Sequence, residues 1–241
     1  MPQTYFISDA HLGLGSREEE RQKENCLISF LDHIAKDARE LFIVGDLFDA
    51  WFEYKTVIPK GFHRLLAKLD DLTHQGISVH YLAGNHDYWM KDYFHVELGI
   101  KTYLVAFDTM VDGKRIFIHH GDGLANGDLG YKILKKILRN RLNIRLFTLL
   151  HPDIGIALAR SSSKKSRHHT STKNNARDDG MLKFAHQKIQ EGFDIVIMGH
   201  SHSPGVKEIG TGLYINLGDW ITHHTYAQIG NGKVELKQWQ Q

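Results

Sequence analysis

The 241 residues are 41% hydrophobic and carry a net charge of +2, which is enough for a sizeable core that needs no covalent staples. A single cysteine, Cys26, excludes an intramolecular disulfide framework and a cysteine-rich zinc site and fits a reducing compartment. The start MPQTYFISDAH lacks the basic flank and long apolar core of a secretory signal, and no run approaches the roughly 18 apolar residues of a spanning helix. A cytoplasmic chain is expected, and any metal in it must sit on His, Asp, Glu or Asn.

In chain order, the apolar run YFIS leads into Asp9 and His11, and a helix follows in which Cys26, Leu27, Phe30, Leu31 and Ile34 recur every three or four residues. LFIVG runs into Asp46 and Asp49. A second helix, FHRLLAKLDDLTHQG, is stopped by Gly76. VHYLAG then runs into Asn85, His86 and Asp87, and RIFI into His119 and His120. Beyond a long basic stretch, DDGMLKFAHQKIQEG reads as a helix and DIVIMG as a strand that ends on His200 and His202. LYINLGDW and HTYAQIGNGKVELKQW read as strands of a more antiparallel part, with a hairpin turn at Asn231 and Gly232. Strands alternating with helices define an α/β class within one domain over 1–241.

The basic stretch interrupts this rhythm. Residues 129–177 hold twelve Lys/Arg and one acid, Asp153, a net +11 in a chain whose total is +2. Ile133, Ile137 and Leu138 stand among Lys132, Lys135, Lys136 and Arg139, which predicts an amphipathic helix with a basic face, followed by a second helix near Pro152. We read 124–178 as a helical lid inserted into the domain. Charge of this kind fits phosphate groups, nucleic acid or an anionic membrane surface.

Five of six apolar runs end on histidines, carboxylates or an asparagine. Ligands of an open α/β sheet collect beyond the carboxyl ends of its strands, so these clusters are expected to converge. Asp9, His11, Asp46, Asn85, His120, His200 and His202 are too many ligands for one zinc and suit two divalent ions sharing a carboxylate. Centres of this type activate water and clamp the oxygens of an in-line phosphoryl displacement. Imidazole mixed with carboxylate and amide suits manganese, iron or zinc better than calcium. His119, beside a candidate ligand, is expected to be a core residue or to support that ligand from behind.

The blocks DAH at 9–11, GDLFD at 45–49, GNHD at 84–87, HHGD at 119–122 and GHSH at 199–202 resemble the signature of the calcineurin-like metallophosphoesterases. The resemblance covers residues 5–220 in order and spacing. It implies a two-sheet sandwich flanked by helices, with Asp9, His11 and His202 on a first metal, Asn85, His120 and His200 on a second, and Asp46 bridging. It also implies a catalytic dyad of His86 with Asp49, and two divalent ions, manganese first, with iron or zinc as alternatives.

HGDGLANGDLGYKIL, the polar tract with Ser166, Arg167 and Lys173, and the ending NLGDW are similar to the UDP-2,3-diacylglucosamine hydrolase family of the lipid A pathway. That resemblance implies Asp128, Tyr131, Ser166, Arg167 and Lys173 as substrate-binding residues. The partner implied is an amphipathic UDP-sugar lipid precursor, with peripheral contact to the inner membrane. The chain departs from the best-known branch at His86, where that branch has arginine, and at Asp49, where glutamate is common. Another nucleotide or phosphodiester substrate, or a scaffold that has lost catalysis, are the alternatives. Phe147 is the main aromatic within 132–178, too thin a stacking platform for a nucleic-acid partner to be expected.

Overall fold

A computed structural model describes residues 2–125, 129–159, 161 and 174–240. The first half alternates strand and helix: β1 (Gln3–Ile7), α1 (Arg17–Ile34), β2 (Ala38–Val44), α2 (His63–His74), β3 (Ser78–Leu82), the short α3 (Tyr93–Val96) and β4 (Lys101–Tyr103). Ser16 and Glu19 close a reciprocal capping box at the start of α1, which satisfies backbone N–H groups that the helix itself leaves bare. The chain continues through β5 (Phe107–Val111) and β6 (Lys114–Ile118) to α4 (Leu129–Leu138), α5 (Arg141–Phe147) and a helical stretch, α6, over 152–159. It returns through α7 (Asn174–Gln190), β7 (Ile195–Met198), β8 (Gly205–Ile209), β9 (Gly212–Asn216), β10 (Thr225–Gly230) and β11 (Lys233–Gln238).

Two mixed sheets result, ordered β11-β10-β1-β2-β3-β4 and β5-β6-β7-β9-β8. Period-two alternation assigns each strand residue to a layer. Phe6, Phe42 and Val44 of the first sheet meet Ile116, Ile118, Ile195, Ile197 and Ile215 of the second in the space between them. Their neighbours Tyr5, Ile7, Leu41 and Ile43 face the other way, onto Leu27, Phe30 and Leu31 of α1 and Leu65 and Leu69 of α2. Val196, Met198 and Tyr214 cover the outer face of the second sheet against Met181 and Ala185 of α7. Burying a large apolar side chain contributes about 1.5–3 kcal/mol, so these three clusters hold together the helix-flanked sandwich that the family resemblance implies.

Two expectations need adjusting. LYINLGDW and the final hairpin do not lie in one antiparallel unit: β9 pairs parallel with β7 in the second sheet, whereas β10 pairs antiparallel with β1 in the first. The chain therefore crosses between sheets over residues 217–224. The turn at Asn231 and Gly232 is as expected, with φ of 55° and 73° joining β10 to β11.

Helix α4 is amphipathic, but its basic residues do not all share one exposed face. Tyr131, Lys135 and Arg139 form its half-buried stripe, while Ile133 and Ile137 are 60% and 52% exposed. The reason is a buried carboxylate, Asp122, to which that polar stripe is drawn. None of the residues 129–159 joins the three buried clusters. No helix among the described residues is long and apolar enough to cross a membrane.

Candidate metal centre

β1, β2 and β3 run parallel in one sheet and β6 and β7 run parallel in the other, so the loops leaving them gather at one end of the sandwich. Three groups of ligand atoms lie mutually within 4.8 Å: Asp9, His11 and His202; His11, Asp46 and His86; and Asp46, His120 and His200. Asp46 belongs to two of them. Its Oδ2 stands 3.2 Å from His120 Nε2 and 3.7 Å from His11 Nε2, the placement a shared carboxylate requires. Asn85 Oδ1 lies 3.2 Å from His120 Nε2, and His11 Nε2 and His202 Nε2 stand 3.2 Å apart. All seven sequence-predicted ligands therefore meet in one cluster.

The donor set fits divalent cations on two observations. Asp9 Oδ1 and His11 Nδ1 are buried without a hydrogen-bond partner, which costs free energy unless another species satisfies them. Burial alone would raise the Asp9 carboxyl, yet the His11 and His202 imidazoles that face it hold it well below the usual range. Burial likewise lowers the basicity of His120, but the Asp46 carboxylate overrides it and pushes the imidazole up to about 10. Two buried anions thus make the spot strongly attractive to positive charge.

The backbone is strained to build the cluster. Among the eight described non-glycine residues at positive φ, five are Asp9, His11, Asp46, His200 and His202, with φ from 44° to 67°. Left-handed conformations in non-glycine residues persist only where surrounding structure enforces them. Here each loop leaves its strand and turns sharply, so alternate side chains aim back at one point. Ser201, between the two histidines, turns inward instead, where its Oγ accepts from Asn216 Nδ2 at 2.8 Å. Gly84 and Gly199 are needed for a different reason, since a Cβ at either would collide with the carboxylate of Asp46 or Asp9.

His86 Nδ1 donates to the Asp49 carbonyl oxygen at 2.9 Å, while the Asp49 carboxylate Oδ1 lies 3.9 Å from His86 Nδ1 and 3.5 Å from His11 Nδ1. The expected pair is thus adjacent, with its shortest link through the backbone. Burial pushes His86 down to about 4, so the ring is neutral near pH 7. His119 is also lowered by burial to about 4; its Nδ1 accepts from Gly121 N and its ring packs on Phe184, in keeping with a core residue.

Three acidic residues support the cluster without joining it. Asp87 accepts from Leu47 N, Gly84 N and Tyr81 Oη and buckles the GNHD loop onto the GDLFD loop. Asp219 gathers the amides of Ile221, Thr222 and His223 and stands 3.9 Å from His202 Nδ1, while Trp220 N donates to Asp9 O. The sixth apolar run therefore also ends beside the cluster, although it supplies none of the seven candidate ligands. Asp122 receives Lys135 at 2.8 Å and Arg139 at 2.9 Å; burial would raise its carboxyl, but these cations hold it well below the usual range. Residue type and order alone could not distinguish these supporting carboxylates from ligands.

A cavity of about 340 Å³ opens beside the cluster. Asp49, Asn85, His86, Tyr131, Lys135 and Arg139 supply its polar lining, and Trp89, Leu134, Leu138, Phe147 and Leu158 its apolar lining. Phe147 of α5 packs between Phe52 and Trp89, with ring centroids 4.8 Å from each, and Trp89 Nε1 donates to Leu138 O at 2.8 Å. Residues of α4, α5 and α6 thus form part of the cavity wall. Tyr131 is at that wall, whereas Asp128, Ser166, Arg167 and Lys173 lie outside the described residues.

Comparison with known proteins is consistent with this geometry. The profile of the calcineurin-like phosphoesterases matches residues 3–204. A protein of Porphyromonas gingivalis named UDP-2,3-diacylglucosamine hydrolase is 31% identical over 92% of this chain and 92% of its own length. One of the same name from Pseudomonas fluorescens is 32% identical over 96% and 93%. The solved structure of an archaeal phosphodiesterase shares the fold, with a TM-score of 0.50 at 13% identity over 98% of this chain and 99% of its own.

Proposed function

The chain belongs to the calcineurin-like phosphoesterase family, and within it we propose a two-metal hydrolase that cleaves UDP-2,3-diacylglucosamine to UMP and 2,3-diacylglucosamine 1-phosphate in lipid A biosynthesis. The observation that carries the substrate is the cavity beside the metal-ligating groups, whose lining combines Lys135 and Arg139 with the apolar Trp89, Leu134, Leu138, Phe147 and Leu158. A diphosphate joined to two acyl chains has that same polarity. The names of the relatives from Porphyromonas gingivalis and Pseudomonas fluorescens agree with it.

In this reading Asp9, His11 and His202 hold one ion, Asn85, His120 and His200 the other, and Asp46 both. Manganese is the ion assigned, with iron or zinc compatible with the same donors. When bound, the ions supply Lewis-acid activation of water and neutralise charge on the reacting phosphate. A water oxygen bonds to the phosphorus that bears uridine, and the bond from that phosphorus to the bridging oxygen breaks. The bridging oxygen leaves with the sugar phosphate, and the protons of water pass to products and solvent.

His86, held through Nδ1 by the Asp49 carbonyl, turns Nε2 to the cavity and donates to the phosphate once an incoming anion raises its basicity. Tyr131 contacts substrate, and so do Asp128, Ser166, Arg167 and Lys173. The exposed basic face, with Lys132 and Lys136 beside the outward Ile133 and Ile137, rests on anionic headgroups of the inner membrane from the cytoplasmic side.

The test is incubation of manganese-loaded protein with the diacylated UDP-sugar and a panel of nucleotides. Release of UMP from the UDP-sugar is expected. Turnover of nucleotides with none of the UDP-sugar would overturn the substrate assignment.

A further inference from the structure

The basic segment is divided by α4 into two populations. Lys132 and Lys136 are exposed, whereas Lys135 and Arg139 are half-buried at the cavity wall, with side chains 25% and 21% exposed. Both inward cations converge on one carboxylate. Asp122 Oδ2 lies 2.8 Å from Lys135 Nζ and 2.9 Å from Arg139 Nη2, and Tyr131 Oη donates to the same oxygen at 3.2 Å. Lys135 Nζ also donates to Asp122 O, and Arg139 stacks on Tyr88 at 4.1 Å. These contacts fix where both charges stand.

One carboxylate cannot neutralise two cations. Among the described residues Asp49 is the one acid that lines the cavity, and its carboxylate lies toward His11. Arg139 makes both of its hydrogen bonds, to Asp122 and to Gly84 O, through Nη2, so Nε and Nη1 are unspent donors of a five-donor fork. A half-buried, immobilised and incompletely compensated Lys–Arg pair is a site for an anion with several acceptor oxygens.

Its neighbours say which anion. Leu134 and Leu138 precede Lys135 and Arg139 and line the same cavity, so α4 offers a cation beside an apolar residue twice, one turn apart. We infer that Lys135 and Arg139, positioned by Asp122, bind the phosphate that leaves with the acylated sugar, while Leu134 and Leu138 accept the first part of its chains. The inference rests on the proposed hydrolase reading and adds the group that meets the leaving side of the diphosphate. Negative charge grows on that phosphate as its bridging oxygen separates, so the pair binds the transition state more strongly than the ground state.

The experiment uses the full chain loaded with manganese and reads inhibition of bis(p-nitrophenyl) phosphate hydrolysis by glucose 1-phosphate, for wild type, Lys135→Gln, Arg139→Gln and Arg139→Lys. An inhibition constant reports only on folded, active molecules, so partial unfolding of a variant does not obscure it. Each glutamine variant is expected to raise the constant about 10–100-fold, the usual range for a lost hydrogen bond to a charged group, with Arg139→Lys intermediate. In parallel, kcat/KM for the diacylated UDP-sugar should fall at least about tenfold more than kcat/KM for the chromogenic diester. An unchanged inhibition constant in both glutamine variants, or no inhibition of wild type, overturns the subsite. If wild type leaves the UDP-sugar intact while the inhibition constant still shifts, the substrate reading fails and the anion subsite stands.

Discussion

Asp46 and His86 make separable contributions at the scale of single residues. Asp46→Ala removes the one carboxylate common to two ligand groups, so metal content measured by elemental analysis should fall for both ions and turnover should drop to background. A full metal complement with near-normal turnover would refute the two-ion assignment. His86→Ala, in contrast, should keep both ions and lose about 10²–10⁴-fold in kcat, the usual contribution of a proton-donating group. Loss of one ion in that variant would place His86 among the ligands, a live outcome because its ring lies within the group formed with His11 and Asp46. Gly84→Ala probes the cradle itself. It removes no ligand, yet its Cβ would occupy the space of the Asp46 carboxylate, so metal affinity is expected to fall; equilibrium dialysis with manganese checks this.

Helix α4 is the element on which substrate choice turns, and its two apolar rows should behave differently. Leu134 and Leu138 line the cavity, whereas Ile133 and Ile137 point outward. Changing the inner pair to glutamine should damage hydrolysis of the diacylated UDP-sugar far more than that of a small chromogenic diester, because each buried methylene contributes about 0.8 kcal/mol that the small ester never uses. Changing the outer pair should leave detergent-dispersed substrate turnover nearly intact and weaken sedimentation with anionic vesicles. Equal effects of both pairs in both assays would dismiss this division of labour. Sequence periodicity marked α4 as amphipathic but left its orientation open, since hydrophobic spacing carries no information about a buried acid elsewhere. The i, i+4, i+8 series Tyr131, Lys135 and Arg139 was the available signal, and it acquires meaning only once Asp122 is seen beneath it.

For the whole molecule, the strained loops and buried carboxylates make stability depend on cations. Ligands that bind only the native state stabilise it by mass action, about 2.7 kcal/mol at a concentration one hundred times Kd. For a chain of this size each kcal/mol moves Tm by roughly 2–4 °C, so chelation should lower Tm by several degrees and manganese should restore it; a Tm indifferent to chelator would mean that the cluster holds no structural ion. The α/β class, the strands and main helices and the seven converging residues were legible in the sequence, because strand period, helix spacing and residue chemistry are local properties that repeat at every loop. Packing alone decided the rest: that β9 and β10 belong to different sheets, that Asp87, Asp122 and Asp219 take up supporting hydrogen bonds and ion pairs around the cluster, and that α4 turns Tyr131 and Lys135 toward Asp122. Those outcomes depend on which buried group a side chain meets across the fold, and a partner tens of residues away leaves no trace in local spacing.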